Sequence, residues 1–242
     1  MSTNVLILAA GEVPFDQHDG GFPLCLTELD GVSIVERIVN NTSELDSANY
    51  CFAILEKDAE RYHLDRALSL LASGAKIVRV PASTKGSACT ALLAASQLPP
   101  ENDLLIVSAN ELVDVNFADV VKDFNGRGLD GGTMTFRSIH PRYSYVRLNT
   151  SGLVVETAQQ KPISHHATAG VFWFKQTSQF VTAAKAMIRK NASVSGKFYV
   201  APAFNELVLA QSKVGIYELD TRKYHPLKTE RQLQQFETGA IA

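Results

Sequence analysis

The first 36 residues contain no lysine or arginine; the first is Arg37. The apolar run near the N-terminus therefore has no basic flank, and a secretory signal is not expected. No apolar run approaches the ~20 residues needed to span a bilayer, so no membrane span is expected. Cysteine is scarce. Cys25, Cys51 and Cys89 are odd in number and lack metal-ligand spacing. They are expected to be small buried hydrophobes in a reducing compartment, which points to a cytoplasmic location. Excess charge is also missing. The formal net charge is −2, which offers no bulk attraction to nucleic acid or to an anionic membrane. Internal repeats, low-complexity tracts and linker-like stretches are absent. A homo-oligomer remains open.

The chain has 242 residues, 45% hydrophobic and 20% charged. That suits one domain, 1–242, whose halves 1–126 and 127–242 share a sheet. The run Asn4-Val5-Leu6-Ile7-Leu8-Ala9-Ala10-Gly11 reads as a strand buried on both faces, ending without bulk. Strands are expected at 50–55, 76–80 and 104–109, alternating with helices at 58–72, 87–98 and 116–125. Four such units predict a parallel Rossmann-like sheet with helices on both faces. The second half reads as strands at 133–139 and 169–175, and a hairpin of 143–149 with 153–158 around Thr150-Ser151-Gly152. Helices follow at 177–190 and 202–211, then a strand at 214–219 and a helix at 229–237. Ser33 followed by Glu36 forms the sequence pattern of a capping box after the Asp30-Gly31 turn.

Several stretches could carry chemistry. Ala9, Ala10 and Gly11 end the first strand, where open α/β sheets bind ligands. Gly86, Ser87 and Ala88 open a helix whose free N–H groups suit an anion or a base edge. They equally suit an ordinary cap. Asn110, Glu111 and Asp114 follow the strand 104–109 and read as a polar strand end with a cap for the next helix. Cationic, aromatic and hydroxyl groups cluster at His140-Pro141-Arg142-Tyr143-Ser144. His165 and His166 are expected in a surface loop.

The layout of Leu8-Ala9-Ala10-Gly11, a glycine-bearing loop, Phe22-Pro23-Leu24, a glycine turn and a helix resembles the opening of the sugar-1-phosphate nucleotidyltransferases (sugar-nucleotide pyrophosphorylases). Gly86-Ser87-Ala88 is similar to their base- and ribose-holding segment. Arg142-Tyr143-Ser144 resembles a sugar-contacting segment, with serine at the family's glycine. Gln160-Lys161-Pro162 resembles Glu-Lys-Pro, with Gln160 at the glutamate and Lys161 retained. Gly170 sits at the glycine of the sugar-pocket strand, and Asn205 and Glu206 at polar positions near the sugar. Region 140–211 is most similar to a compact bacterial branch associated with capsule and lipopolysaccharide synthesis.

The resemblance implies a GT-A-like, nucleotide-diphospho-sugar transferase fold. It also implies a nucleotide and a sugar-phosphate as partners, Mg²⁺ as cofactor, and Lys161 and Arg142 as catalytic cations on the acceptor phosphate. Against the family pattern, Phe22 replaces a lysine, and Asn110 and Pro226 replace two metal-binding aspartates. The loop from Glu12 to Asp19 is acidic where the family has an arginine. Three readings follow: a nucleotidyltransferase in surface-polysaccharide precursor synthesis, in which Glu111 or Asp114, together with Asp16 or Asp19, replaces the lost metal ligands; a nucleotide-sugar-binding regulatory or scaffolding subunit without turnover; or a glycosyltransferase on the same type of fold. The third lacks the Asp-x-Asp pair its class places after the fourth strand.

Overall fold

The computed structural model describes residues 2–11 and 22–237. The acidic loop, apart from Gly11, and the last five residues lie outside this set. The chain opens with β1 (Thr3–Leu8), whose six residues are all buried. The short strands β2 (Glu28–Leu29) and β3 (Val32–Ser33) follow. They are joined at Asp30 and Gly31, both at positive φ (52° and 77°), as a tight hairpin turn requires. Ser33 then caps α1 (Ile34–Thr42), its hydroxyl accepting from the Glu36 amide at 3.3 Å.

β4 (Ala48–Leu55), β5 (Lys76–Val80) and β6 (Asp103–Ser108) complete a parallel set in the order β6-β1-β4-β5. The helix expected at 58–72 is two helices, α2 (Glu56–Tyr62) and α3 (Leu64–Leu71). His63 separates them in the left-handed region, φ 52°, and its carbonyl accepts from the amides of Arg66 and Ala67 to begin the second helix. No glycine or proline marks that break. α4 (Ser87–Ala95) and α5 (Phe117–Gly126) flank β6, with the short β7 (Glu111–Val113) between β6 and α5.

The second half adds β8 (Gly131–Arg137), the hairpin β9 (Ser144–Leu148) and β10 (Val154–Gln159), and β11 (His166–Phe174). Then come α6 (Thr177–Arg189), α7 (Ala203–Leu209), β12 (Val214–Glu218), β13 (Tyr224–Pro226) and α8 (Glu230–Glu237). His166 therefore begins a strand and is half-buried, while His165 is exposed in the preceding loop. Strands from both halves form one nine-stranded mixed sheet. The fold is α/β, as the alternation of elements predicts.

Side chains alternate across the sheet into two cores. Val5, Ile7, Phe52, Ile54, Leu105 and Trp173 face α1, α3 and α5; Leu6, Leu8, Ala53, Leu104, Ile106 and Phe174 face α4, α6 and α7. α4 presents Ala88, Ala91, Ala94 and Ala95 to that second core, which lets it lie close to the sheet.

β11 is the joint between the halves. β8 runs along one side of it, from His166 to Phe174. On the other side β11 changes partner: His166 and Ala167 pair with β9, and Val171 to Phe174 pair with β6. The register breaks between Thr168 and Phe172, and Gly170 within the break has φ 69°. The sheet forks there, beside the carboxyl end of β6.

Candidate functional site

β1 is the point where strand order reverses: the chain proceeds outward through β4 and β5, then returns to place β6 on the other side of β1. Such a switch point opens a crevice at the carboxyl ends of the strands. A cleft of about 790 Å³ lies there. Its walls are Ala9, Ala10 and Gly11 after β1, Leu55 and Lys57 after β4, Val80 to Ser87 after β5, and Ser108 to Asn110 after β6. Pro23, Leu24 and Cys25 close one side, and the segment 195–199 another, through Ser195, Gly196, Lys197 and Tyr199.

The described lining has one sign of charge. Lys57, Lys85, Lys197 and Lys228 face the cleft, and no aspartate or glutamate is among its described lining residues. The first three lysines are exposed, while Lys228 is 28% exposed and stands deeper. Low-dielectric walls concentrate such a field and favour an anion. The amide oxygen of Asn110 is buried without a hydrogen-bond partner, so it is a ready acceptor at the end of β6.

The loop 82–87 is held from behind. The Phe198 amide donates to the Lys85 carbonyl at 2.9 Å, and the Ala88 amide donates to the Phe198 carbonyl at 3.0 Å. The amides of Cys89 and Thr90 both donate to the Gly86 carbonyl. The Ala88 and Cys89 amides in the first turn of α4 are therefore occupied within the protein. Gly86 has φ 93°, and a Cβ there would lie 2.4 Å from the Phe198 carbonyl oxygen. Its close approach is to backbone. Ala88 is fully buried behind the wall; Gly86 and Ser87 line it.

Lys228 arrives by a route that sequence reasoning missed. β13 pairs antiparallel with β7, Pro226 opposite Glu111, and the Leu227 amide donates to the Asn110 carbonyl at 3.0 Å. The Lys228 ammonium reaches Glu111 Oε1 at 3.2 Å and Oε2 at 3.3 Å. Glu111 is 7% exposed and also accepts from the Tyr224 hydroxyl at 2.5 Å. Tyr224 stays protonated as donor, its pKa raised well above the ordinary value by burial first and by the Glu111 charge second. Lys228 also lies 5.4 Å from the centre of the Tyr143 ring, within cation–π range. Gly170 roofs this group: a Cβ there would lie 2.2 Å from Glu111 Oε1.

The expected acceptor-side residues do not join the cleft. Lys161 and Arg142 are exposed and line no part of it. Gln160 turns the chain at φ 55° and donates its amide to the Tyr143 carbonyl at 2.9 Å. The Ser144 hydroxyl is bonded to Gln159. Asn205 braces β10: its Oδ1 accepts from the Thr157 amide at 2.7 Å and its Nδ2 donates to the Thr157 carbonyl at 2.9 Å. Glu206 pairs with Lys190 at 2.7 Å. Tyr143 is buried in an aromatic group with Phe136 and Tyr224.

The sequence matches no protein-family profile and no curated protein. Solved structures do match. A nucleoside-diphosphate-sugar pyrophosphorylase from Vibrio cholerae RC9 superposes with TM-score 0.77 and 16% identity, over 96% of this chain and 99% of that one. A candidate glucose-1-phosphate thymidylyltransferase from Bacillus anthracis, solved with sucrose, superposes with TM-score 0.74 and 14% identity, over 98% and 95%. The chain has their fold. No described helix is long and apolar enough to cross a membrane.

The Mg²⁺ implied by the resemblance needs several hard, anionic oxygens. Asn110 offers an uncharged amide. The Glu111 carboxylate is taken by Lys228 and Tyr224, and Asp114 holds the His225 ring nitrogen Nε2 at 2.6 Å. No group of three histidine, cysteine, aspartate or glutamate side chains able to hold a metal ion occurs among the described residues. That donor set does not fit a hard divalent cation. Glu12, Asp16 and Asp19 lie outside the described residues.

The cysteines are poor nucleophiles. Burial pushes the thiols of Cys25 and Cys51 up to about 12, and raises that of Cys89. Iodoacetamide at pH 8 is expected to label Cys89, which is half-buried, before Cys25 or Cys51. Peptide mass spectrometry of the native protein reads the order, and Cys25 reacting first would contradict it.

Proposed function

We propose that this chain is a nucleotidyltransferase-like protein that holds the phosphates of a nucleotide in the cleft between β1 and β6. A phosphorylated sugar or related metabolite is its second substrate. The observation that carries this is the set of four lysines, unaccompanied by any described carboxylate, along a cleft at the switch point. In the reaction proposed, an acceptor phosphate oxygen attacks the α-phosphorus of a nucleoside triphosphate. The new P–O bond forms as the bond to the β-phosphate bridging oxygen breaks, and pyrophosphate leaves. The lysine ammonium groups stabilise the charge developing on the leaving phosphates. A place in capsule or lipopolysaccharide precursor synthesis rests on the resemblance of residues 140–211.

A second reading is favoured by the engagement of Glu111 with Lys228 and Tyr224, and of Asp114 with His225. On that reading the chain binds nucleotide or nucleotide-sugar without turnover, as a regulatory or scaffolding subunit.

The test is a thermal-shift screen of nucleoside triphosphates and nucleotide sugars, followed by pyrophosphate release with sugar-1-phosphates. A ligand that binds only the folded state raises Tm. A raised Tm with pyrophosphate release supports the transferase reading, and a raised Tm without release supports the second. No shift with any nucleotide would sink both. Lys85→Ala or Lys197→Ala is expected to weaken a bound nucleotide by about 0.5–1 kcal/mol, the range for exposed pairs. Lys161→Ala and Arg142→Ala, which alter residues outside the cleft, are expected to change its affinity by less than about twofold, below 0.5 kcal/mol. Calorimetric titration compares the four variants.

A further inference from the structure

We infer that Lys228, braced by Glu111 and Tyr224, is a fixed internal cation that lets the cleft hold a polyphosphate without a divalent metal ion. The inference rests on the cleft being a phosphate site and says how that site is neutralised. Three observations carry it.

The first is the charge balance. The described lining has four ammonium groups and no carboxylate. A polyphosphate entering it meets positive charge on the protein, whereas a metal-dependent site presents carboxylates that only an added cation can reconcile with phosphate.

The second is the construction around Lys228. A lysine on a surface loop samples many rotamers. This one is held at its head by both oxygens of a buried carboxylate, at 3.2 and 3.3 Å, and lies against the Tyr143 ring. The carboxylate is in turn fixed by Tyr224. Glu111 does not line the cleft, but Lys228 does. The negative partner therefore sits behind the ammonium, and an ammonium keeps N–H donors beyond those turned to one carboxylate. A cation already held in position loses less freedom when ligand binds.

The third is what happens to the carboxylates nearest the end of β6. Glu111 is directed to the Lys228 ammonium, and Asp114 to the His225 ring nitrogen. Asn110, the residue between Ala109 and Glu111 that does line the cleft, contributes a neutral, unpartnered oxygen. The ammonium groups present suit a ligand whose oxygens accept hydrogen bonds.

The probe is inorganic tripolyphosphate, which isolates phosphate recognition from base and sugar. Binding is measured by calorimetry in EDTA and again in excess Mg²⁺. The expected result is binding in EDTA, with Mg²⁺ tightening it by less than about threefold. Lys228→Met is expected to weaken binding in EDTA by about 10- to 100-fold, as loss of a charge-assisted contact does. Lys228→Arg, which keeps the charge, should recover most of it. Because Lys228→Met leaves Glu111 buried without its partner, the double variant Lys228→Met with Glu111→Gln is measured beside it. That pair removes both charges, and a Tm near wild type certifies its fold. Weak binding by the double variant supports the proposal; wild-type affinity overturns it. Tightening by Mg²⁺ of more than about tenfold overturns the metal-free claim while leaving the cleft a phosphate site. Absence of binding in both buffers overturns the claim and the reading beneath it.

Discussion

Gly170→Ala is expected to cost about 3 kcal/mol or more of stability, because two penalties coincide. The residue sits at φ 69°, where a Cβ is strained. The added methyl would also fall 2.2 Å from Glu111 Oε1 and 2.4 Å from its Cδ. The side chain that must yield is buried and bonded to both Tyr224 and Lys228. It has no exposed rotamer to adopt without leaving a charge or a hydroxyl unpaired. For a chain of this size the loss corresponds to a fall in Tm of about 6–12 °C. Thermal denaturation of the variant reads it directly. Gly152→Ala is the control: its φ is 75°, but a Cβ there meets nothing within 4 Å. It carries the backbone strain alone. Equal Tm values for the two variants would mean that Gly170 does not seat Glu111.

Gly11→Val is expected to do the opposite, removing ligand while sparing the fold. Gly11 is exposed at the cleft wall, a Cβ built on it meets no described residue within 4 Å, and its φ is outside the strained positive range. The stability change should therefore lie within about 0.5 kcal/mol, as for other surface substitutions. The branched side chain would project where a ligand must approach the backbone after β1. A nucleotide that raises the Tm of wild type should bind the variant about 100-fold more weakly, a loss of about 2.7 kcal/mol. Titration of the folded variant measures it. Wild-type affinity would show that the bound nucleotide does not approach this strand end, and that Ala9-Ala10-Gly11 serves only to end β1.

Local patterns made most of this fold legible. β1 is buried on both faces, as its unbroken apolar run requires. The Thr150-Ser151-Gly152 hairpin forms as read, with the Asn149 side chain accepting from the Ser151 and Leu153 amides. Part of the cleft wall was legible for the same reason: Ala9 to Gly11 and Asn110 lie just past the ends of β1 and β6. What stayed hidden depended on distant pairing. Lys228 looks like a surface lysine in a polar tail until β13 is seen beside β7. Lys197 and Tyr199 reach the cleft because residues 195–199 pass behind the loop 82–87, through backbone bonds that no side-chain pattern encodes. Asn205 and Glu206 carried the right polarity for a sugar site, but their partners, Thr157 and Lys190, lie on neighbouring elements. Polarity along a sequence does not say which neighbour satisfies it. The helix break at His63 escaped because its signal is a backbone angle on a residue that usually continues a helix.

The pairing of β13 with β7 also has a bearing on when the cleft comes into being. Glu111 and its hydroxyl and ammonium partners are 113 and 117 residues apart in the chain. During synthesis the parallel strands and their helices are made first, and closing so long a loop comes late in folding. Until the strand carrying Tyr224 and Lys228 docks, Glu111 lacks both its hydroxyl and its ammonium partner. The fourth cation of the cleft is thus set in place only when β13 pairs with β7, near the end of folding.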